Sequence, residues 1–391
     1  MSVSPAARVV ATACVASLML LVAGCDKDKK GVEPPAELVD LKPSLAVDKV
    51  WDTGVGGGGE KLRLGLGLAF SNGALYTAAR DGEVISLDPT SGRERWSQDT
   101  KADLAAGPGV GGSVVAVGTS DGKVIALDAA SGKQLWAVSV SSEVLAAPLV
   151  TGDRVIVRSV DGRLHSLDAL TGKLQWSGEE QVPRLSLRGT SAPALAKDNV
   201  IVGFDSGKVI AFVLANGDVA WQAQVTTPSG RSELQRLADV DSAVQVDGND
   251  GYAVGYQGRV VMLALDSGQV WWGRDVSSYR TPALDDSQLY VSTSDGSVVA
   301  MRRRDGTVVW QQDGLKRRGL GAPAVIGNAV VVGDFDGYLH WLDRDSGKFV
   351  ARQHAGSTRI SAQPVVADGR LFVIDDGGRV VAFRSGAIAG R

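Results

Sequence analysis

A unit of about forty residues recurs along almost the whole chain, and a repeat of that length leaves few folds open. Its marker is a turn pair. Asp-Gly occurs at Asp81-Gly82, Asp121-Gly122, Asp161-Gly162, Asp295-Gly296 and Asp336-Gly337. Weaker copies stand at Ser206-Gly207, Gln257-Gly258 and Gly377-Gly378. The steps between the eight are 40, 40, 45, 51, 38, 41 and 41 residues. Asp-Gly between short apolar runs signals a β-hairpin, expected here as a type I′ turn with both central residues at positive φ.

The clearest copy runs from Gly107-Pro108 through Ser113–Gly118, the Asp121-Gly122 turn, Val124–Asp128 and the Ser131-Gly132 turn to Trp136. Four short antiparallel strands in such a unit make one propeller blade. Trp falls four residues after the second-turn Gly in six copies, at Trp96, Trp136, Trp176, Trp221, Trp272 and Trp310, and the seventh has Ala351. These rings read as core wedges between blades rather than a cofactor stack. The eighth copy ends soon after Gly386 without its Trp strand, and Ala46–Thr53 around Trp51 has the missing pattern. The fold class expected is therefore all-β: an eight-bladed β-propeller of four-stranded antiparallel blades over 46–391, closed by the N-terminal strand. Closure leaves no open end to the ring. A seven-bladed ring with one distorted blade at Ser206 or Gln257 is the structural alternative.

Composition agrees. The 49 glycines show no G-x-y period and sit in turns, and 44% apolar with 22% charged residues supports an ordinary core. A net charge of −3 argues against a nucleic-acid partner. Cys14 and Cys25 are the only cysteines, so the body holds no disulfide framework and no Cys-based metal site.

The apolar run Val9–Ala23 is short for a membrane span of ~20 residues and suits a signal-peptide core. It ends Val22-Ala23-Gly24-Cys25, which resembles the bacterial lipobox. Residues 1–24 are thus expected to be a lipoprotein signal peptide, with Cys25 the lipidated residue. Asp26 beside it leaves sorting between the two membranes open. The charged, Pro-containing stretch 25–45 reads as a flexible tether, reaching about 65 Å when extended at ~3.3 Å per residue.

Insertions in repeat proteins map to loops, often on the binding face. Two consecutive blade junctions are enlarged, at 177–192 and 222–243. Both are connections from an outer strand to the next inner strand, so both should emerge on one face as one patch. A third long connector, 52–69, is Gly-rich. Leu185 and Leu187 flank Ser186 and precede Arg188 in the first loop; Arg236, Asp239 and Asp241 stand in the second. Leucines ringed by polar groups in a surface loop suit a protein contact; the alternative is that they tuck under the loop with the charges solvated.

With Leu185-Ser186-Leu187-Arg188-Gly189 and Arg236-Leu237 before Asp239-Val240-Asp241, the chain resembles the BamB (YfgL) family of outer-membrane assembly lipoproteins over its whole mature length. The repeat alone is less specific, being similar to that of quinoprotein (PQQ) alcohol dehydrogenases. The resemblance implies a non-catalytic scaffold of the β-barrel assembly (BAM) complex. It would be lipid-anchored in the outer membrane and face the periplasm. Its loops would bind the POTRA domains of BamA, and it would assist insertion of outer-membrane proteins. It carries the BamA contact onto Leu185, Leu187, Arg188, Asp239 and Asp241. The leucines would be anchors and Arg188 would pair with a carboxylate or carbonyl. The aspartates would orient the loops or pair with basic groups. Exposed blade edges are a conceivable guide for unfolded outer-membrane proteins by β-augmentation.

Other classes are a PQQ-dependent dehydrogenase, a carbohydrate- or peptide-binding periplasmic propeller, and an inner-membrane scaffold. The dehydrogenase would need Ca²⁺ ligands, a catalytic carboxylate and typically a Cys pair. The body has no Cys, and most Asp residues sit in turns where they bond local backbone. His165, His340 and His354 show no metal spacing. No catalytic residue, cofactor or metal is expected.

Overall fold

The computed structural model describes residues 33–56, 65–187, 190–227, 231–232 and 234–388. The signal segment, Cys25 and Arg188 lie outside the described residues. Contacts divide the chain into Met1–Pro35 and Ala36–Arg391. Of the first unit only Glu33–Pro35 is described, as irregular chain.

Eight antiparallel sheets follow one another as blades 1 to 8, at 68–99, 104–139, 149–179, 194–224, 245–274, 283–312, 324–354 and 365–388. Blade 8 takes Leu45–Gly54 as its outermost strand, in register Leu45↔Ile388, Trp51↔Ala382 and Gly54↔Arg379. The ring is an eight-bladed propeller closed as the repeat arithmetic requires. The weak turn copies at Ser206 and Gln257 belong to separate, complete four-stranded sheets, which removes the seven-bladed alternative. Of the Gly-rich connector, Gly65–Leu66 pairs in parallel with the inner strand of blade 2.

The apolar core lies between blades. Val155 and Val157 of blade 3 pack with Ala116 and Val124 of blade 2, for instance. The Trp residues lock each blade to the next. Trp96 donates its indole N–H to the Ala129 carbonyl at 3.0 Å, and a Cβ on Gly132 would come 2.5 Å from its ring. Gly132 also has φ +72°, so ring and backbone both demand glycine there. Trp51 repeats this across the closure, against Gly92 and the Pro89 carbonyl at 3.0 Å. Ala351 is the exception, and the closure explains it. Its neighbour, blade 8, has no turn at Ser385-Gly386, because that strand runs on to Ile388 against the N-terminal strand. No turn glycine awaits a ring. Trp341, paired across from Ala351, fills the space and meets Phe383 edge-on at 5.6 Å.

The hairpin turns differ from expectation. Gly82 has φ +107° and Gly122 +80°, but Asp81 and Asp121 are not at positive φ. Gly82 N bonds the Ala79 carbonyl at 3.1 Å and Ala79 N the Glu83 carbonyl at 2.8 Å. That is a three-residue loop, a type I turn closed by a left-handed glycine, instead of type I′. Asp therefore needs no strained φ, and its carboxylate is free to accept side-chain bonds, such as Thr119 Oγ1 to Asp121.

The tether is shorter than read. Ala36 N bonds the Lys316 carbonyl and Ser44 N the Val350 carbonyl, both at 2.9 Å. Arg318 Nη1 donates to the Ala36 carbonyl at 3.2 Å and Arg352 Nη1 to that of Val39 at 2.9 Å. Leu38, like Phe349, packs against the core cluster containing Trp310 and Leu320. Charged, Pro-containing sequence carries no periodic signal for such a strap, because two arginines hold it by its backbone.

Candidate docking face

Strand alternation puts the central hairpins and the blade-to-blade connectors at one end of the ring, and the other two turns of each blade at the opposite end. At the first end the enlarged junctions lie side by side. Leu187 N donates to Asp239 Oδ2. Ser191 Oγ donates to the Ser242 carbonyl at 2.9 Å and accepts from Gly203 N at 3.3 Å. Val240 N bonds the Phe204 carbonyl at 3.2 Å, and Tyr256 N bonds the Asp239 carbonyl at 2.8 Å. The close approach at Gly203 is obligatory, since a Cβ there would come 2.4 Å from the Val240 carbonyl oxygen.

Two leucines project from this frame among exposed Arg184, Arg231, Ser232 and Arg236. Leu185 is 43% exposed, and Leu234, on the one-turn helix Leu234–Arg236, is 69% exposed. Gln257 Nε2 fixes the Leu234 carbonyl at 3.3 Å. Leu187 is half-buried, while Leu237, Ala238 and Val240 point into the core. The face continues onto Tyr256, which meets Tyr279 edge-on at 6.2 Å, with Arg280 above the latter ring.

The two aspartates lie underneath. Asp239 is only 1% exposed. That geometry suits the loop-orienting role and leaves it no surface for a basic partner group. Arg158, fully buried, bonds Asp205 at 2.6 Å and lies over the Phe204 ring at 4.7 Å. Around this guanidinium, among the described residues, stand three carboxyls: Asp205, Asp239 and Asp241. Burial pushes Asp239 up to about 6, with the Leu187 amide pulling it down and Asp205 pushing it up. Burial pushes Asp241 up to about 8, reinforced by repulsion from Asp205 and Asp239. Among the described residues, Arg158 Nε and Nη1, Asp239 Oδ1 and Asp241 Oδ1 have no hydrogen-bond partner. A cluster this poorly satisfied is held by the packing around it, because low polarity makes each orphaned group costly.

Of the five expected contact residues, the structure thus brings Leu185, Leu187, Asp239 and Asp241 together; Arg188 is outside the described residues. Leu234, Arg158 and Asp205 were not singled out from sequence. Arg158 did leave a signal. Four residues before the hairpin glycine the other copies carry Ala78, Gly118, Gly203, Val254, Ser292, Gly333 and Ile374. A lone arginine in that small or apolar slot marks a buried charge.

Among the described residues no group of His, Cys, Asp or Glu is arranged to hold a metal ion. Comparison with known proteins adds the following. A family model described as outer membrane protein assembly factor BamB matches residues 48–104, 80–312 and 294–388. A Pseudomonas aeruginosa protein of that name is 47% identical over 371 residues, covering 95% of this chain and 98% of the relative. The crystal structure of BamB from Moraxella catarrhalis superposes with TM-score 0.79 at 29% identity, over 87% of this chain and 100% of that one. A quinohemoprotein alcohol dehydrogenase from Pseudomonas putida shares the fold alone, at 16% identity and TM-score 0.63, over 88% of this chain and 76% of that one.

Proposed function

The chain belongs to the BamB family of outer membrane protein assembly factors, and from that premise we propose a non-catalytic scaffold that docks BamA through its paired enlarged junctions. The observation that carries this reading is the bond from Leu187 N to Asp239, which joins the two junctions into one surface. Leu185 and Leu234 are its apolar anchors, Leu187 completes the rim, Arg188 joins the contact on the family resemblance alone, and a POTRA domain of BamA is the partner. Asp239 and Asp241 act from below, holding the loops in place. A loop surface so braced loses little entropy on docking.

Lipidation at Cys25 would hold the protein on the outer membrane, facing the periplasm. The arginine clamp on Ala36 and Val39 shapes that anchorage. Only ten residues lie between Cys25 and Ala36, so the eleven steps reach about 36 Å at ~3.3 Å each. The Arg318 clamp on Ala36 lies at the connector end of the ring, the end that carries the docking loops.

Affinity of the purified full chain for the BamA POTRA domains tests the proposal. Leu185→Glu with Leu234→Glu should weaken binding at least about tenfold, with the thermal transition unchanged, since both side chains are exposed anchors. Unaltered affinity would discard this face.

A further inference from the structure

The opposite end of the ring carries a feature the assembly role does not use. Trp271 is 61% exposed, whereas the other strand tryptophans described above are wedged between blades. Its position explains the exposure. In all eight blades the outermost strand has a β-bulge beside the wedge position. In blade 5 Trp272 pairs with Met262 and Val270 with Leu263, so Trp271 is the extra residue, turned outward. The same slot holds Arg95, Leu135, Gln175, Ala220, Val309 and Val350 in other copies, and only here an aromatic.

Trp271 forms one wall of an open cleft of about 710 Å³ between blades 5 and 6. Met262 and Ala264 add apolar floor. Asn249, Asp250, Asp266, Gln269, Arg304 and Asp305 surround it, so the exposed indole face is set among planar amides, carboxylates and a guanidinium. The walls are braced. Trp272 Nε1 donates to the Arg303 carbonyl at 2.8 Å, Arg274 Nη2 to that of Asp305 at 2.6 Å, and Arg303 Nη1 to that of Asp285 at 2.7 Å.

We propose that this cleft binds a neutral carbohydrate, stacked on Trp271. A pyranose presents a face of weakly positive C–H groups to the negative face of an indole. Its ring of hydroxyls matches side chains that both donate and accept in pairs. The volume suits a short oligosaccharide. Carboxylates outnumber the single Arg304, which disfavours phosphate or an anionic sugar. A peptide strand fits less well, because the bulge at Trp271 bends the blade edge it would pair with.

The test is titration of the full chain, with indole N–H labelling, by chitotetraose, maltotetraose and mannotetraose. The Trp271 resonance, assigned through Trp271→Phe, should shift saturably with at least one of them. Trp271→Ala should weaken that binding about tenfold or more, Trp271→Tyr should keep part of it, and Gln269→Ala should weaken it several-fold. Melting curves and BamA affinity should not change in these variants, which separates this site from the docking face. No shift at Trp271 with any of the three, or binding that survives Trp271→Ala, would overturn the proposal.

Discussion

Two buried polar clusters sit at the same end of the ring and are built in opposite ways. At the junction of blades 6 and 7, Arg318 bonds Asp334 and Asp336, both at 2.7 Å, and the Ala36 carbonyl at 3.2 Å. His340 Nε2 lies 3.0 Å from Asp334, and Arg352 donates to His340 Nδ1 at 3.3 Å. That leaves His340 neutral, with its proton on the nitrogen facing Asp334. Under the docking loops, among the described residues, the Arg158 guanidinium faces three carboxyls, and four of their polar atoms have no partner there. The first cluster is satisfied and acts as a clamp on the strap. The second, among the described residues, sets more carboxyls than guanidinium groups and relies on protons and packing. Position in the repeat does not decide which kind a junction carries; the count of donors against acceptors does.

Removing the arginines should break both clusters, with the largest effects on stability. Arg318→Met should cost about 3–5 kcal/mol, the usual loss when one partner of a buried ion pair goes. It should also release the strap, raising hydrogen exchange at the Ala36 amide. Arg158→Met should cost a similar amount at pH 8 but distinctly less at pH 5, where Asp239 and Asp241 are protonated and place less negative charge around the site. Urea unfolding of both variants at the two pH values checks this, and an equal, pH-independent loss for both would erase the contrast.

A smaller effect sharpens the difference, because the clusters respond to pH with opposite signs. Asp241 and Asp239 are pushed up from 3.8 to about 8 and about 6. The folded state therefore holds protons the unfolded state has lost, and this contribution fades as pH rises from about 4 to 8. Burial pushes Asp334 up too, but His340 and Arg318 bring it below its ordinary value of 3.8. His340 is lowered from 6.5, chiefly by burial, against the pull of Asp334. That cluster is intact above 6.5 and loses stability as pH falls through 6.5 and then 3.8. Asp241→Asn should thus be more stable than the parent at pH 8, by on the order of 1 kcal/mol, and gain little at pH 5. Urea midpoints of the pair across that range decide it; parallel curves would remove Asp241 from the account.

Much of this was legible in the chain. Turn spacing and Trp register located every blade, because the wedge and its glycine recur at fixed offsets. The missing eighth Trp strand pointed to the closure around Trp51. The turn type was misread, since Asp-Gly serves both hairpin geometries and only the left-handed glycine is common to them. The strap escaped because it is held through carbonyls at Ala36 and Val39, which no side chain announces. At the docking face the loops and Leu185 were readable from the insertions. The burial of Asp239 was not, because an aspartate in a long loop looks the same whether it caps a neighbour's amide or meets solvent. Leu234 was hidden among the charges of its loop.

The central claim is that both enlarged junctions form one surface for one partner. Site-specific photo-cross-linking from Leu185 and from Leu234 in the intact envelope tests it directly, with Trp271 as the position at the far end. The account predicts that both loop positions capture BamA and that Trp271 does not. Capture from only one loop, or from Trp271 as well, would contradict it.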